Sequence, residues 1–339
     1  MQKILIIQTA FIGDVVLATA MLEKLAKFFP DAGIDFLVRK GNEGLLANNP
    51  HIRQVLIWNK KENKQRNLFA MLRRIRKTKY SKVINLQRFF ATGILTAFSG
   101  AEEKIGFDKN PLSFLFTKKI KHVIDKENGI KHEAERNNDL IAEFTDDSFS
   151  RPKLYPSAHD VESVNIYLGQ PCVTMTPNSV WFTKQYPAEK WIDLIDHFPS
   201  AYKIYLLGGK ENIQDCEQLK DNTSNKNVEV LTGKLSFLQS AALMKSAAMN
   251  YVNDSAPLHF ASAMNAPVTA IFCSTIPAFG FTPLSDASYI IETLEVLTCR
   301  PCGLHGYKAC PEGHFRCALS IETNRLIATL KENTTGVKH

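Results

Sequence analysis

Residues 249–272 read MNYVNDSAPLHFASAMNAPVTAIF, and this stretch decides the fold. Positions 249–252 and 268–272 are short, β-rich apolar runs, whereas 259–264 between them has helical spacing. A strand, a helix and a second strand in that order make a βαβ unit, whose strands run parallel. The turn entering the helix carries Asp254, Ser255 and Ala256, and His259 stands in the first helical turn. Small residues there allow close backbone approach, a helix start attracts phosphate, and an imidazole can donate to it. The plainer reading of His259 alone is a packed or capping residue.

The same alternation continues on both sides of this unit. In the second half, strands are expected at 172–175, 203–207 and 228–231, and helices at 191–197 and 238–245. The first half opens with a strand at 3–7 and a helix at 15–28, followed by strands at 33–38, 55–58 and 82–86 and a basic amphipathic segment at 68–76. Residues 150–160, SRPKLYPSAHD, hold two prolines and no helical period, which marks a linker. The fold class is therefore α/β with two doubly wound domains, 1–153 and 154–339. Ligands in such sheets sit beyond the carboxyl ends of the strands, so the chemistry is expected in a cleft between the two sheet edges.

Composition bounds the function. The chain has 339 residues, 45% of them hydrophobic and 22% charged, enough for a substantial core and too apolar for a disordered chain. With 41 basic and 34 acidic residues the net charge is +7, which points to an anionic partner. No run approaches the roughly 18–20 apolar residues that span a bilayer, so a soluble protein is expected. The opening MQKILIIQTAFIGD is interrupted by Gln8 and Asp14 and lacks a small-residue cleavage site, which argues against a signal peptide. An odd count of seven cysteines argues for a reducing compartment over a disulfide framework.

Four further features carry possible chemistry. Asp14, at the turn from strand to helix, is either an ordinary helix cap or a general base for a bound hydroxyl. That turn lacks the glycine pattern of a dinucleotide site. TPNSVWFTKQYPAEKW, from 176 on, places Thr176, Ser179, Thr183 and Lys184 between a strand and a helix, either a phosphate site or a loop with a solvated lysine. The LGGK at 207–210 lacks the remaining P-loop residues, which excludes ATPase chemistry of that type. Cys299, Cys302, Cys310 and Cys317 have the spacing C-x2-C-x7-C-x6-C, read either as a closed structural zinc site or as free or redox-sensitive thiols. The segment 60–82 sets Arg73, Arg74, Arg76, Lys77 and Lys79 beside Leu68, Phe69, Met71 and Leu72, which fits either a solvated face or contact with an anionic membrane surface. No nucleic-acid-binding motif accompanies the charge, and no nucleic-acid partner is expected.

Taken together, IGDVVLATAML, TKQYPAEKW, LLGGKEN, TGKLSFLQSAALMKSA, NDSAPLHFASAMNAPVTAIF and CRPCG…ACPEGHFRC resemble glycosyltransferase family 9, the lipopolysaccharide heptosyltransferases. The resemblance spans nearly the whole chain. It implies a GT-B fold, two Rossmann-like domains facing an interdomain cleft, with the acceptor on the N-terminal domain and the nucleotide sugar on the C-terminal one. It implies Asp14 as general base in an inverting transfer of heptose from ADP-heptose to an acidic lipopolysaccharide inner-core acceptor. Lys184, Thr176 and Ser179 would face the donor diphosphate, and Asp254, Ser255, Ala256 and His259 match the family's donor-binding DSGPxH pattern, with Ala256 in place of the usual glycine. His132, Glu133, Arg136 and Asn137 resemble an HxxxRN-like segment with a structural or acceptor-side role. No cofactor is implied for catalysis, and a cytoplasmic enzyme peripheral to the inner membrane is expected. The rival readings keep the scaffold with another sugar or acceptor, or make it a noncatalytic binder of nucleotide sugars or anionic lipids.

Overall fold

The computed structural model describes residues 2–124 and 131–335. The chain divides into two compact units, Met1–Tyr155 and Pro156–His339.

The first unit is built on six parallel strands, β1 (Lys3–Ile7), β2 (Gly33–Arg39), β3 (Ile52–Trp58), β4 (Lys82–Asn85), β5 (Glu103–Phe107) and β6 (Lys118–Ile120), in the order β3-β2-β1-β4-β5-β6. Ile4, Leu5, Ile6 and Ile7 are fully buried, as a central parallel strand covered on both faces requires. Helix α1 (Ile12–Phe28) is buried on nearly every side through its first three turns, so it reads as apolar all round. Helix α2 (Lys64–Thr78) is different. Met71 and Ile75 are buried, and Leu68 and Leu72 pack on a core of Leu5, Leu37, Leu56 and Val83. Its apolar stripe is thus used against the sheet, which corrects the membrane reading of that stripe; Phe69 alone of the four apolar residues named above is exposed, while Arg73, Arg74, Arg76, Lys77 and Lys79 point to solvent. Helices α3 (Phe90–Ala97) and α4 (Glu133–Asp139) complete the unit, α4 packing on α1.

The second unit repeats the plan. Its strands β7 (Cys172–Thr176), β8 (Lys203–Leu206), β9 (Val228–Val230), β10 (Met249–Asn253), β11 (Val268–Phe272) and β12 (Ser288–Glu292) are parallel in the order β12-β11-β10-β7-β8-β9. Helix α5 (Ala158–Val164) precedes them, α6 (Ala188–Asp196), α7 (Ile213–Asn222), α8 (Phe237–Ser246) and α9 (Ala256–Met264) run between them, and α10 (Arg316–Leu319) and α11 (Thr323–Thr335) follow. Thr174 and Asn250 are paired inside this sheet: the Thr174 hydroxyl donates to Asn250 Oδ1 at 2.6 Å, and the Asn250 amide donates to the carbonyls of Met244 and Pro267.

The linker reading at 150–160 holds only in part. Ser157 caps α5, its Oγ accepting the Asp160 N–H at 3.1 Å while the Asp160 carboxylate accepts the Ser157 N–H at 2.8 Å. The helix therefore starts at Ala158, inside the supposed linker, because a capping box needs no long apolar period. In each sheet the strand order reverses at one place, between β1 and β4 and between β7 and β10. These are the switch points at which doubly wound sheets open a crevice.

Candidate active site

In the first unit, Asp14 stands in the first turn of α1, directly after β1 and beside the β1/β4 switch point. One carboxylate oxygen accepts the Phe11 N–H at 3.0 Å, so the side chain does serve as a cap. It is partly exposed, and enclosure by surrounding protein followed by the negative charge of Glu133 push its pKa up to about 6. Arg39 pulls in the opposite direction, and its guanidinium lies 5.2 Å from the Phe11 ring centre. Lys60 donates to the Thr9 hydroxyl at 2.6 Å, and burial, then Arg39, lower its pKa to about 8. At the same switch point Gln87, after β4, donates to Gln8, after β1. Arg39, Lys60, Gln8 and Gln87 were invisible to motif reading because they come from separate segments of the chain.

Glu133 opens α4. Burial alone raises a carboxyl pKa, but His122 at 3.6 Å and Arg136 at 2.8 Å outweigh it and hold Glu133 below the usual range. His132 caps the helix, its Nδ1 accepting the Ala134 N–H at 3.1 Å. The HxxxRN-like segment is thus first a structural device that sets a fixed negative charge near Asp14. Asn137 is buried in the same helix.

In the second unit, Thr176 ends β7 in register with Val252 of β10, two residues before Asp254. Lys184 lies in a 3-10 turn, Phe182–Lys184, and its Nζ pairs with Asp254 Oδ2 at 2.7 Å. The Thr275 hydroxyl donates to the same oxygen at 2.6 Å. Ser255 is the residue before α9, yet its hydroxyl does not cap that helix. Among the described residues, Thr176 Oγ1 and Ser255 Oγ are buried without a hydrogen-bond partner. These two hydroxyls flank the β7/β10 switch point, where doubly wound sheets open a crevice. Ala256 takes the first helical position and stays partly exposed, so its methyl is tolerated by the backbone there; His259 is buried in the first turn.

Thr183 and Ser179 play other parts. Thr183 Oγ1 accepts from the Ser274 hydroxyl at 3.0 Å and the Tyr307 N–H at 2.8 Å, a staple between loops. Ser179 is partly exposed and fixes the turn through its carbonyl, which accepts from the Gln185 amide at 2.7 Å. Gly306 makes the staple possible. At φ +80° it has a conformation that favours glycine, and a Cβ there would stand 2.9 Å from Thr183 Oγ1 and 3.0 Å from Lys184 Cγ. Gly306→Ala is expected to destabilise the protein by about 1–3 kcal/mol, measured by denaturant unfolding, and an unchanged midpoint would refute the close approach.

The cysteine-rich loop is anchored beside this site. Arg300 donates to the carbonyls of Cys273 at 2.8 Å and Thr275 at 2.7 Å and pairs with Glu292 at 2.5 Å, while the Cys302 N–H donates to the Ser274 carbonyl at 2.9 Å. Among the described residues, however, no three His, Cys, Asp or Glu side chains are grouped so as to hold a metal ion. Cys299, Cys302, Cys310 and Cys317 form no disulfide, and Cys302, Cys310 and Cys299 all act electrostatically on Cys317. Cys299 Sγ lies 3.9 Å from His314 Nε2, the Cys302 thiol donates to the Cys299 carbonyl, and burial followed by Cys302 pushes the Cys317 thiol up to about 12.

This geometry is joined by clear relationships. Residues 68–304 match the family model of glycosyltransferase family 9 (heptosyltransferase). The chain is 28% identical to the lipopolysaccharide heptosyltransferase 1 of Campylobacter coli, covering 97% of this chain and 98% of that protein. Its fold matches the crystal structure of the glycosyl transferase family 9 from Veillonella parvula, with a TM-score of 0.84 and 22% identity over 99% of this chain and 98% of that one. It also matches the E. coli ADP-heptose lps heptosyltransferase II, with a TM-score of 0.78 and 20% identity over 99% of both chains. The two parallel sheets are those of a GT-B fold, and the chain belongs to glycosyltransferase family 9, the heptosyltransferases.

Proposed function

We propose that this glycosyltransferase moves heptose from ADP-heptose to an acidic lipopolysaccharide inner-core acceptor with inversion at the anomeric carbon. The acceptor is assigned to the first unit and the donor to the second. The observation that carries the reading is Asp14: a carboxyl group with a pKa near 6 at a switch point, in a chain whose relatives are named as lipopolysaccharide heptosyltransferases. Near neutral pH it is ionised, yet basic enough to take a proton efficiently.

In the proposed step the acceptor hydroxyl gives its proton to Asp14 as its oxygen bonds to the anomeric carbon. The bond from that carbon to the diphosphate oxygen breaks, and ADP leaves with the electron pair. Lys184, His259 and the start of α9 are assigned to the charge that grows on the diphosphate, with Thr176 and Ser255 as hydroxyl donors to it. Arg39, whose charge acts on Asp14, and Lys60, bonded to Thr9 after β1, suit the carboxylates and phosphates of an acidic acceptor.

The test follows acceptor mass and ADP release together, with ADP-heptose and a panel of Kdo-lipid A acceptors. Equal amounts of glycosylated acceptor and ADP support the proposal. ADP-heptose binding without transfer argues for another acceptor or a noncatalytic binder, and absence of donor binding overturns the heptose assignment.

A pH profile checks the base separately. Because Asp14 acts ionised, kcat/KM is expected to rise with pH through about 6 and then level. Glu133→Gln removes a negative neighbour that favours protonated Asp14, so the rising limb shifts to lower pH. A limb that stays in place, or moves up, would exclude Glu133 as the group that sets it.

A further inference from the structure

We propose that loops 87–90 and 110–115 of the first unit together form a membrane-docking surface, whose partner is an anionic phospholipid bilayer. Four large apolar side chains stand in solvent on these loops: Phe89 at 50% exposure, Phe90 at 57%, Phe114 at 71% and Leu115 at 40%. The two loops that carry them are bonded together. The Asn110 amide donates to the carbonyls of Gln87 at 2.9 Å and Phe89 at 3.1 Å. A Cβ on Gly93 of α3 would stand 2.4 Å from Asn110 Oδ1, so only glycine admits this approach. The patch is therefore held rigidly enough to present its aromatic rings without a large ordering cost on binding.

The rim selects the partner. Arg88 lies 5.8 Å from the Phe89 ring centre, and Lys109, Lys119 and Lys121 are exposed nearby in sequence. The one acid in the second loop's approach, Asp108, has its carboxylate engaged by the His122 N–H at 3.2 Å. Exposed aromatic rings accompanied by cations complement a bilayer interface, where rings enter the boundary of head groups and acyl chains and each cation gains from anionic lipid. Position supports the same partner. The patch follows β4 and β5, and Gln87 is bonded to Gln8, six residues before Asp14. Docking there would hold the base beside the surface that carries a lipid-anchored acceptor, a consequence that rests on the function proposed above.

Binding is tested on the full chain with vesicles of phosphatidylcholine containing a quarter phosphatidylglycerol, in the absence of any sugar donor or lipopolysaccharide. The parent is expected to co-float with these vesicles and to do so less at high salt or with phosphatidylcholine alone. Phe90→Ser/Phe114→Ser should weaken partitioning by about tenfold or more, whereas Phe69→Ser, on α2, should leave it intact. Phe114→Trp supplies a readout that does not depend on a loss: its emission should shift to the blue on vesicle binding and be quenched by brominated lipid. Equal partitioning of the parent and the double variant, or an unshifted and unquenched emission from the Phe114→Trp variant, overturns the proposal. Loss of binding in Phe69→Ser alone transfers it to α2, and self-association abolished by the double variant without vesicle binding identifies a second copy as the occupant. Since no sugar is present, these outcomes are independent of whether the heptosyl transfer reading stands.

Discussion

Asp14→Asn is expected to lower the rate of heptosyl transfer by roughly 10²–10⁴-fold while ADP-heptose binds as before. Asparagine keeps an oxygen that can accept the Phe11 N–H, so the start of α1 survives, but it cannot take a proton from the acceptor. The substitution also carries a stability signature of opposite sense. The folded pKa of Asp14 lies near 6, above its ordinary value of 3.8, so ionising it disfavours the folded state as pH rises through that window. Removing the group should raise the melting temperature at pH 8, and this gain should shrink as pH falls below 6. A variant that is more stable, binds donor and does not turn over identifies Asp14 as the base. If it loses transfer together with donor binding or folding, Asp14 is a helix cap and nothing more.

Lys184→Met is expected to cost about 10²–10³ in kcat/KM for the donor, with most of the loss specific to the nucleotide sugar. The lysine does more than supply charge. Its pairing at 2.7 Å holds Asp254, a buried carboxylate otherwise bonded by Thr275, so its removal leaves a negative group where the diphosphate is proposed to bind. Asp254→Asn should be the milder change, because it keeps the ammonium and removes the repulsion. In the double variant the penalty should fall below that of Lys184→Met alone, since the unpaired carboxylate is gone. Independent, multiplicative effects of the two substitutions on donor affinity would refute this coupling.

The parts of the site that could be read beforehand are those carried by local runs. NDSAPLH places Asp254, Ser255 and His259 at one strand end because a small-residue turn between a strand and a helix has few geometries. The same holds for Asp14 after KILII. Thr275 and Gly306 were missed because they reach the site from distant segments and belong to no short pattern, and Arg300, though inside CRPCG, because that run was read for its cysteines. The four cysteines show the limit of reading by spacing. Their spacing permits a tetrahedral set, but spacing does not specify where the thiols point: Cys302 and Cys317 are buried, and Cys299 Sγ lies 3.9 Å from His314 Nε2.

What the sequence by itself determined is the alternation of β-rich runs and helices, and with it two parallel sheets and the placement of Asp14, Lys184 and the Asp254–His259 turn at strand ends. Those features are encoded within a dozen residues, where hydrophobic period and turn chemistry act directly. The direction of each apolar face and the electrostatics of the site were decided only by tertiary structure. Leu68, Met71 and Leu72 of α2 turn toward the sheet because a core is available to bury them, while Phe89, Phe90 and Phe114 have none and remain outside. Asp14 acquires its pKa in the same way, from enclosure and from Glu133, a residue 119 positions along the chain that folding brings within reach of its charge.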